Sequence, residues 1–222
     1  MRIGLVGLAG AGKDTAAQII SKHLRFPCVA FAEPIHEAAK YVFGDLYLER
    51  GVKELPLPFG NTGLNLTKNI AQSIINECNL DLSDEELQIA LKVAFTNRET
   101  GKIYEELSPR KFMQLFGTEF GRNIDEKIWV NRIENKYSDC VISDVRFENE
   151  MEICNIIVVV ERDGSGVEGY HVSENLAKRL KNHPNRESSF TITNGTFRVV
   201  GRRVDNNGTI DDLREKLKQI FS

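Results

Sequence analysis

The stretch "LVGLAGAGKDTAAQ" (Leu5–Gln18) decides how the rest of the chain is read. Arg2 to Val6 is a short apolar run ending in glycines, as a buried parallel strand would be. From Lys13 to Leu24 the spacing turns helical, with Ala16, Ile19, Ile20, His23 and Leu24 on one side. Between them, Gly7 to Lys13 satisfies G-x-x-x-x-G-K in the context that gives the pattern meaning, a strand before it and a helix after it. Glycines at Gly10 and Gly12, with Ala11 between them, let successive backbone N–H groups face one concavity. The helix start adds its positive dipole end, so polyphosphate is the natural guest and Lys13 the side chain that reaches it. The letter after Lys13 departs from the pattern. Where a hydroxyl normally touches magnesium stands Asp14, and two readings are open. Its carboxylate is a hard oxygen ligand able to hold Mg2+ directly or through water. Alternatively it caps the helix start, with Thr15 left to assist the metal.

The remainder of the chain supports a sheet around this loop. Phe26 to Phe31 suits a second strand, and Glu33 to Gly44 a helix with Pro34 in its first turn. Gly51 to Asn65, with Pro56, Pro58, Gly60 and Gly63, is expected to be a loop or flap. A helical insertion is expected over roughly Thr67 to Phe95, with a capping box at Ser83 to Glu86. Ser108-Pro109 opens another helix, in which Phe112, Leu115 and Phe116 form an apolar stripe. Gln114, Thr118 and Arg122 recur every four residues on a different face. Cys140 to Asp144 and Ile156 to Val160 are apolar strands separated by a helix-compatible segment, the alternation of a parallel sheet with crossover helices. Short β-like runs at Phe190 to Thr193 and Phe197 to Val204 precede a closing helix lined by Ile210, Leu213, Leu217 and Ile220.

Composition bounds the function. The 222 residues are 41% apolar and 27% charged, enough for a sizeable core. A net charge of -3 lacks the basic field that nucleic acid or an anionic membrane surface demands, so neither is an expected partner. Cys28, Cys78, Cys140 and Cys154 form no C-x-x-C pair, which reads as buried reduced thiols in a cytoplasmic protein. No leader or membrane-spanning segment is expected.

Two further positions suit phosphate chemistry. Asp144 ends an apolar strand and should lie at the carboxyl edge of the sheet, where a carboxylate can orient Mg2+ or the attacking oxygen. Arg146 follows on the same face of an extended strand end. Arg162 begins "RDGSGVEGYHVSEN", a glycine-bearing stretch suited to a lid over about residues 162–182, and Arg122, Lys178 and Arg179 are further candidate cations.

Together the loop "GLAGAGKDT", the helix "SPRKFMQLFGTEFGR" with Trp129-Val130 after it, the segment "ISDVRFENE" and "HVSEN" resemble the bacteriophage-type deoxynucleoside monophosphate kinases. Gly-Lys-Asp-Thr looks like that family's own form of the loop. The resemblance implies an α/β fold of the P-loop kinase kind, a parallel sheet flanked by helices with a helical insertion and a lid. It implies a single domain, with its core in residues 1–50 and 136–222 and a substrate-binding insertion over about 51–135. It implies transfer of the γ-phosphoryl of ATP to a deoxynucleoside 5′-monophosphate. Gly10, Gly12, Lys13, Asp14 and Thr15 would then hold ATP and Mg2+. Arg146 would meet the acceptor phosphate. Gln114, Thr118, Glu119 and Arg122 would shape the monophosphate site, with Glu150 on the base and His171 lining the site. The tail "VDNNGTIDDL" is similar to the last strand, turn and helix of small P-loop kinases, which implies that Asn206, Asn207 and Gly208 pass near adenine. A homodimer through the insertion helices is plausible on this reading. A dephospho-CoA or phosphomevalonate-like kinase, and a regulatory protein that holds ATP without turnover, are the alternatives.

Overall fold

A computed structural model describes residues 1–49, 51–166, 175–183, 187–193 and 197–222. The chain divides into two compact units, one of residues 1–31 with 137–222 and one of residues 32–136.

In the first unit, five parallel strands and one antiparallel edge strand make a sheet in the order β2-β5-β1-β6-β8-β7. These are β1 (Arg2–Val6), β2 (Cys28–Val29), β5 (Cys140–Ile142), β6 (Ile156–Glu161), β7 (Ser189–Thr193) and β8 (Arg198–Asp205). The central strand β1 runs between β5 and β6, with Gly4 opposite both Ile142 and Ile157. Helices α1 (Lys13–Leu24) and α9 (Ile210–Ile220) cover the sheet. Ile20, Leu213 and Leu217 join Ile3, Leu5, Val141, Val158 and Val160 in one fully buried cluster. Each such side chain contributes about 1.5–3 kcal/mol of apolar burial. Two shorter helices, α7 (Glu148–Glu152) and α8 (Asn175–Lys181), complete the unit. Strand β2 is shorter than the expected Phe26 to Phe31. Pro27 has no N–H to give, and the Phe31 N–H leaves the ladder for the Asp144 carboxylate at 2.8 Å.

The second unit is helical: α2 (Glu33–Phe43), a 3-10 turn (Gly44–Leu48), α3 (Gly60–Glu77), α4 (Asp84–Ala94), α5 (Pro109–Gln114) and α6 (Ile128–Lys136). A short antiparallel pair, β3 (Leu57–Pro58) and β4 (Glu106–Leu107), ties its loops. Two expectations change here. Helix α2 groups with this unit and not with the sheet, so the boundary falls at Ala32 instead of near residue 51. The expected flap is largely structured, because α3 begins at Gly60 and Gly63 lies inside it beneath the Phe59 ring. The core is an aromatic array in which Phe59, Phe95, Phe112, Phe116 and Phe120 stack at centroid separations of 5.1 to 5.9 Å. Such pairs add about 0.5–1.5 kcal/mol each beyond burial. Arg132, 4% exposed, is held in this core by Glu77 at 2.7 Å and Glu33 at 3.6 Å, which link α6 to α3 and α2. Among the described residues no helix is long and apolar enough to cross a membrane.

Two helix starts carry complete capping boxes, Ser83 with Glu86 and Thr209 with Asp212. The hydroxyl and N–H of each cap residue hold the partner carboxyl below its ordinary range. A depressed folded-state pKa means that the stabilisation is complete above the ordinary carboxylate value, 4.5 for Glu and 3.8 for Asp, and fades as the pH falls beneath it. Glu86→Gln, which keeps the box but cannot titrate, should therefore flatten the acid limb of a urea-midpoint profile taken from pH 6 to pH 3. The thiols yield a second expectation. Cys78, Cys140 and Cys154 are buried, and burial raises Cys78 and Cys140 to about 11 and Cys154 as well. In the native protein at neutral pH a disulfide reagent should titrate the half-buried Cys28 first, with the other three reacting only on unfolding.

Candidate active site

Every parallel strand of the first unit ends at the same sheet edge, and the loops that leave that edge carry most of the chemistry. From β1 comes the glycine loop, where Gly10 and Gly12 have φ of 79° and 91°. Residues with a Cβ rarely adopt that conformation. Space is also exhausted at Gly12, because a Cβ there would overlap the side-chain amide of Asn206. Ala11 is buried and donates its N–H to the Leu8 carbonyl at 3.0 Å, so this amide closes the turn instead of facing a guest. Lys13, half-buried, reaches back to the Leu8 carbonyl at 3.3 Å.

The capping reading of Asp14 does not hold. The residue before the helix is Gly12, with no side-chain hydrogen bond capping the helix, so Asp14 does not act as a cap. Asp14 and Thr15 are both exposed in the first turn of α1, with their oxygens accessible beside the loop. A carboxylate there also complements the positive end of the helix.

From β5 comes Asp144, in a turn just beyond Ile142 and not on an extended strand end. Its Oδ1 accepts the Phe31 N–H, which fixes the carboxylate to the end of β2. Val145 is buried and Arg146 is exposed. The Arg146 N–H at 2.8 Å and the Phe147 N–H at 3.1 Å both donate to Glu150 Oε2. Glu150, expected on the base, is 3% exposed and orders the start of α7, so that expectation is corrected: a carboxylate enclosed in this way holds the segment bearing Arg146. Arg146 also borders a pocket of about 200 Å³ with Phe147, Glu148, Asn175, Leu176 and Arg179, in which Glu148 and Arg179 form an ion pair.

From β6 comes Arg162, exposed, whose carbonyl accepts the Ser165 hydroxyl at 2.6 Å in a tight turn. The turn is tied to the glycine loop by the Gly166 N–H donating to the Ala9 carbonyl at 3.0 Å. Of the expected lid, residues 167–174, with His171, lie outside the described residues, and its last part, with Lys178 and Arg179, is helix α8.

From β8 comes Asn206, whose side chain holds the glycine loop. Its side-chain amide donates to the Ala11 carbonyl at 2.8 Å, while its own N–H donates to the Glu161 carbonyl at 2.8 Å. Asn206 thus fastens the glycine loop to two strands. Asn207 accepts the Asp163 N–H at 2.8 Å, and Gly208 makes room for the Asp212 carboxylate of the α9 cap. Nothing in the spacing of "VDNNGTIDDL" announces the bond to Ala11, which joins residues 195 positions apart.

In the second unit, α5 does not continue as an α-helix. From Leu115 to Arg122 the backbone is a π-helix, whose hydrogen bonds close on the fifth residue. Gln114 and Thr118 are exposed and Arg122 is half-buried. Glu119 is separated from them. It pairs with Arg98 at 3.2 Å and, with Leu115, Asn123, Tyr104 and Lys111, lines a cleft of about 740 Å³.

Comparison with known proteins bears on both units. The deoxynucleotide monophosphate kinase family matches residues 2–217. A "Deoxynucleoside-5'-monophosphate kinase" of Escherichia phage T5 is 32% identical over 177 residues, covering 68% of this chain and 70% of the phage protein. A "Putative deoxynucleotide monophosphate kinase" of Acanthamoeba polyphaga mimivirus is 24% identical over 193 residues, 82% of this chain and 84% of the viral one. A match that spans the glycine loop, the helical unit and the closing helix leaves one reading of the fold and its chemistry: the chain belongs to the deoxynucleotide monophosphate kinase family and is a nucleotide phosphotransferase.

Proposed function

We propose that the chain transfers the γ-phosphoryl of ATP, in the presence of Mg2+, to a deoxynucleoside 5′-monophosphate. The observation that carries this reading is the gathering of the glycine loop, Asp144, Arg162 and Asn206 at one edge of one sheet, each at the end of a different parallel strand. Ligands of such sheets bind outside the carboxyl ends of the strands. The loop amides and the start of α1 receive the donor phosphates, and Lys13 exchanges the Leu8 carbonyl for phosphate oxygens. Arg162 adds a cation from the end of β6. Arg146 meets the acceptor phosphate, and Gln114, Thr118 and Arg122 form the acceptor-binding row of the second unit.

The exposed oxygens of Asp14 and Thr15, with the Asp144 carboxylate, make an all-oxygen donor set that suits Mg2+. When bound, that ion neutralises charge on the transferred phosphoryl group. The acceptor phosphate oxygen attacks in line, the bond to the ADP oxygen breaks, and no covalent enzyme intermediate forms. What the protein supplies is position and positive charge in a fixed frame.

Coupled ADP release, measured against the four common deoxynucleoside monophosphates, their ribonucleotide counterparts and dephospho-CoA, tests the reading directly. Turnover should appear with deoxynucleoside monophosphates; turnover with dephospho-CoA alone would overturn it. Lys13→Ala should lower kcat by about a hundredfold or more with the melting temperature unchanged. Asn206→Ala frees the Ala11 carbonyl and should raise the KM for ATP about tenfold while leaving the acceptor KM within twofold, a split that steady-state kinetics resolves.

A further inference from the structure

Thr118 and Arg122 of the acceptor-binding row sit on a π-helix. A π-helix of eight residues is uncommon, packs its backbone less well than an α-helix, and occurs mostly where function demands it. Something must hold this segment in place, and one side chain touches three of its residues on two successive turns. The indole N–H of Trp129, from α6, donates to the Gly117 carbonyl at 3.0 Å. The indole ring leans on Phe116 at a centroid separation of 6.2 Å. It also lies so close to Gly121 that a Cβ there would overlap it. Trp129 itself is 4% exposed.

The glycines explain themselves on this view. Two glycines inside a helix cost about 1 kcal/mol each relative to alanine. Gly121 is needed for the indole to lie on the backbone, and Gly117 offers the carbonyl that the indole grips while its missing Cβ leaves room for Ile35. Thr118 and Arg122 are the residues immediately after those two glycines. The backbone from which each projects is therefore fixed by Trp129.

We infer that Trp129 is a positioning residue for the acceptor nucleotide: its indole N–H, bonded to the Gly117 carbonyl, holds the π-helical turn that presents Thr118 and Arg122. The inference rests on the acceptor role proposed above for that row. Trp129 touches no reacting atom, so its removal acts on acceptor binding and leaves the donor site alone.

Trp129 is the only tryptophan in the sequence, so chain-wide replacement by the isosteric analogue with sulfur in place of the indole N–H changes this one bond. That protein, Trp129→Phe and Gly121→Ala are compared with Arg122→Ala by steady-state kinetics against a deoxynucleoside monophosphate and ATP. The sulfur analogue should raise the acceptor KM about tenfold, with kcat and the KM for ATP within twofold. Gly121→Ala, which displaces the ring but keeps the donor, should shift the same parameter in the same direction. If Arg122→Ala raises the acceptor KM and the analogue and Trp129→Phe do not, Trp129 only fills the core and the inference fails by itself. If Arg122→Ala is silent as well, the row does not bind the acceptor and both readings fall. If the Trp129 variants raise both KM values equally, the effect is a general loosening of the fold, and a positioning role is again overturned.

Discussion

A loop that turns its amides toward a guest turns its carbonyls toward the protein, and those carbonyls need partners. One of those partners here is a side-chain amide, Asn206 on Ala11. Asn206 stands at the end of β8, its N–H already spent on β6, so the loop after β1 is referenced to two neighbouring strands instead of to its own flexible backbone. Gly166 adds a second tie from the loop after β6. Asp144 plays the same part across the sheet, joining the ends of β5 and β2 through the Phe31 N–H. The sheet edge that carries the glycine loop is thus laced from strand to strand by polar groups, with Asp14, Thr15, Arg146 and Arg162 exposed on it.

The second unit solves a different problem. It must present a row of polar side chains from a helix, and it does so by stacking rings behind it. Phe112, Phe116 and Phe120 lie nearly parallel, with interplanar angles of 8° and 12°, along the back of the α5 and π-helical segment. Rings repeating every four residues are compatible with the wider turn, Trp129 fixes α6 against it, and the buried Arg132 ties α6 to α3 and α2. The polar face can depart from ideal geometry because the apolar face is over-determined.

How much of this was legible in the sequence follows from the range of each interaction. The strand, glycine loop and first helix were readable because periodicity and glycine placement are local, and so were the caps at Ser83 and Ser108. Breakers misled where tertiary packing overrode them. Pro56, Pro58, Gly60 and Gly63 look like a loop until the Phe59 ring is seen to need Gly63 within a helix. The resemblance put Glu150 on the base, and its two backbone donors, Arg146 and Phe147, leave no mark on side-chain chemistry that would have shown otherwise. The spacing of Gln114, Thr118 and Arg122 was visible in the sequence; the pairing of Glu119 with Arg98 and the π-helical backbone were not, because neither leaves a mark in residue spacing.

The pairing of β1 with β5 and β6 has a consequence for how the chain comes to be folded. The central strand is made first, yet the strands on either side of it begin at Cys140 and Ile156. The whole helical unit, residues 32–136, is synthesised in between and is built from contacts within itself. Local helical units form faster than sheets closed over long sequence separations. On the ribosome, the helical unit is therefore assembled while β1 waits without strand partners, and the sheet edge that bears the glycine loop is completed last, once β8 delivers Asn206.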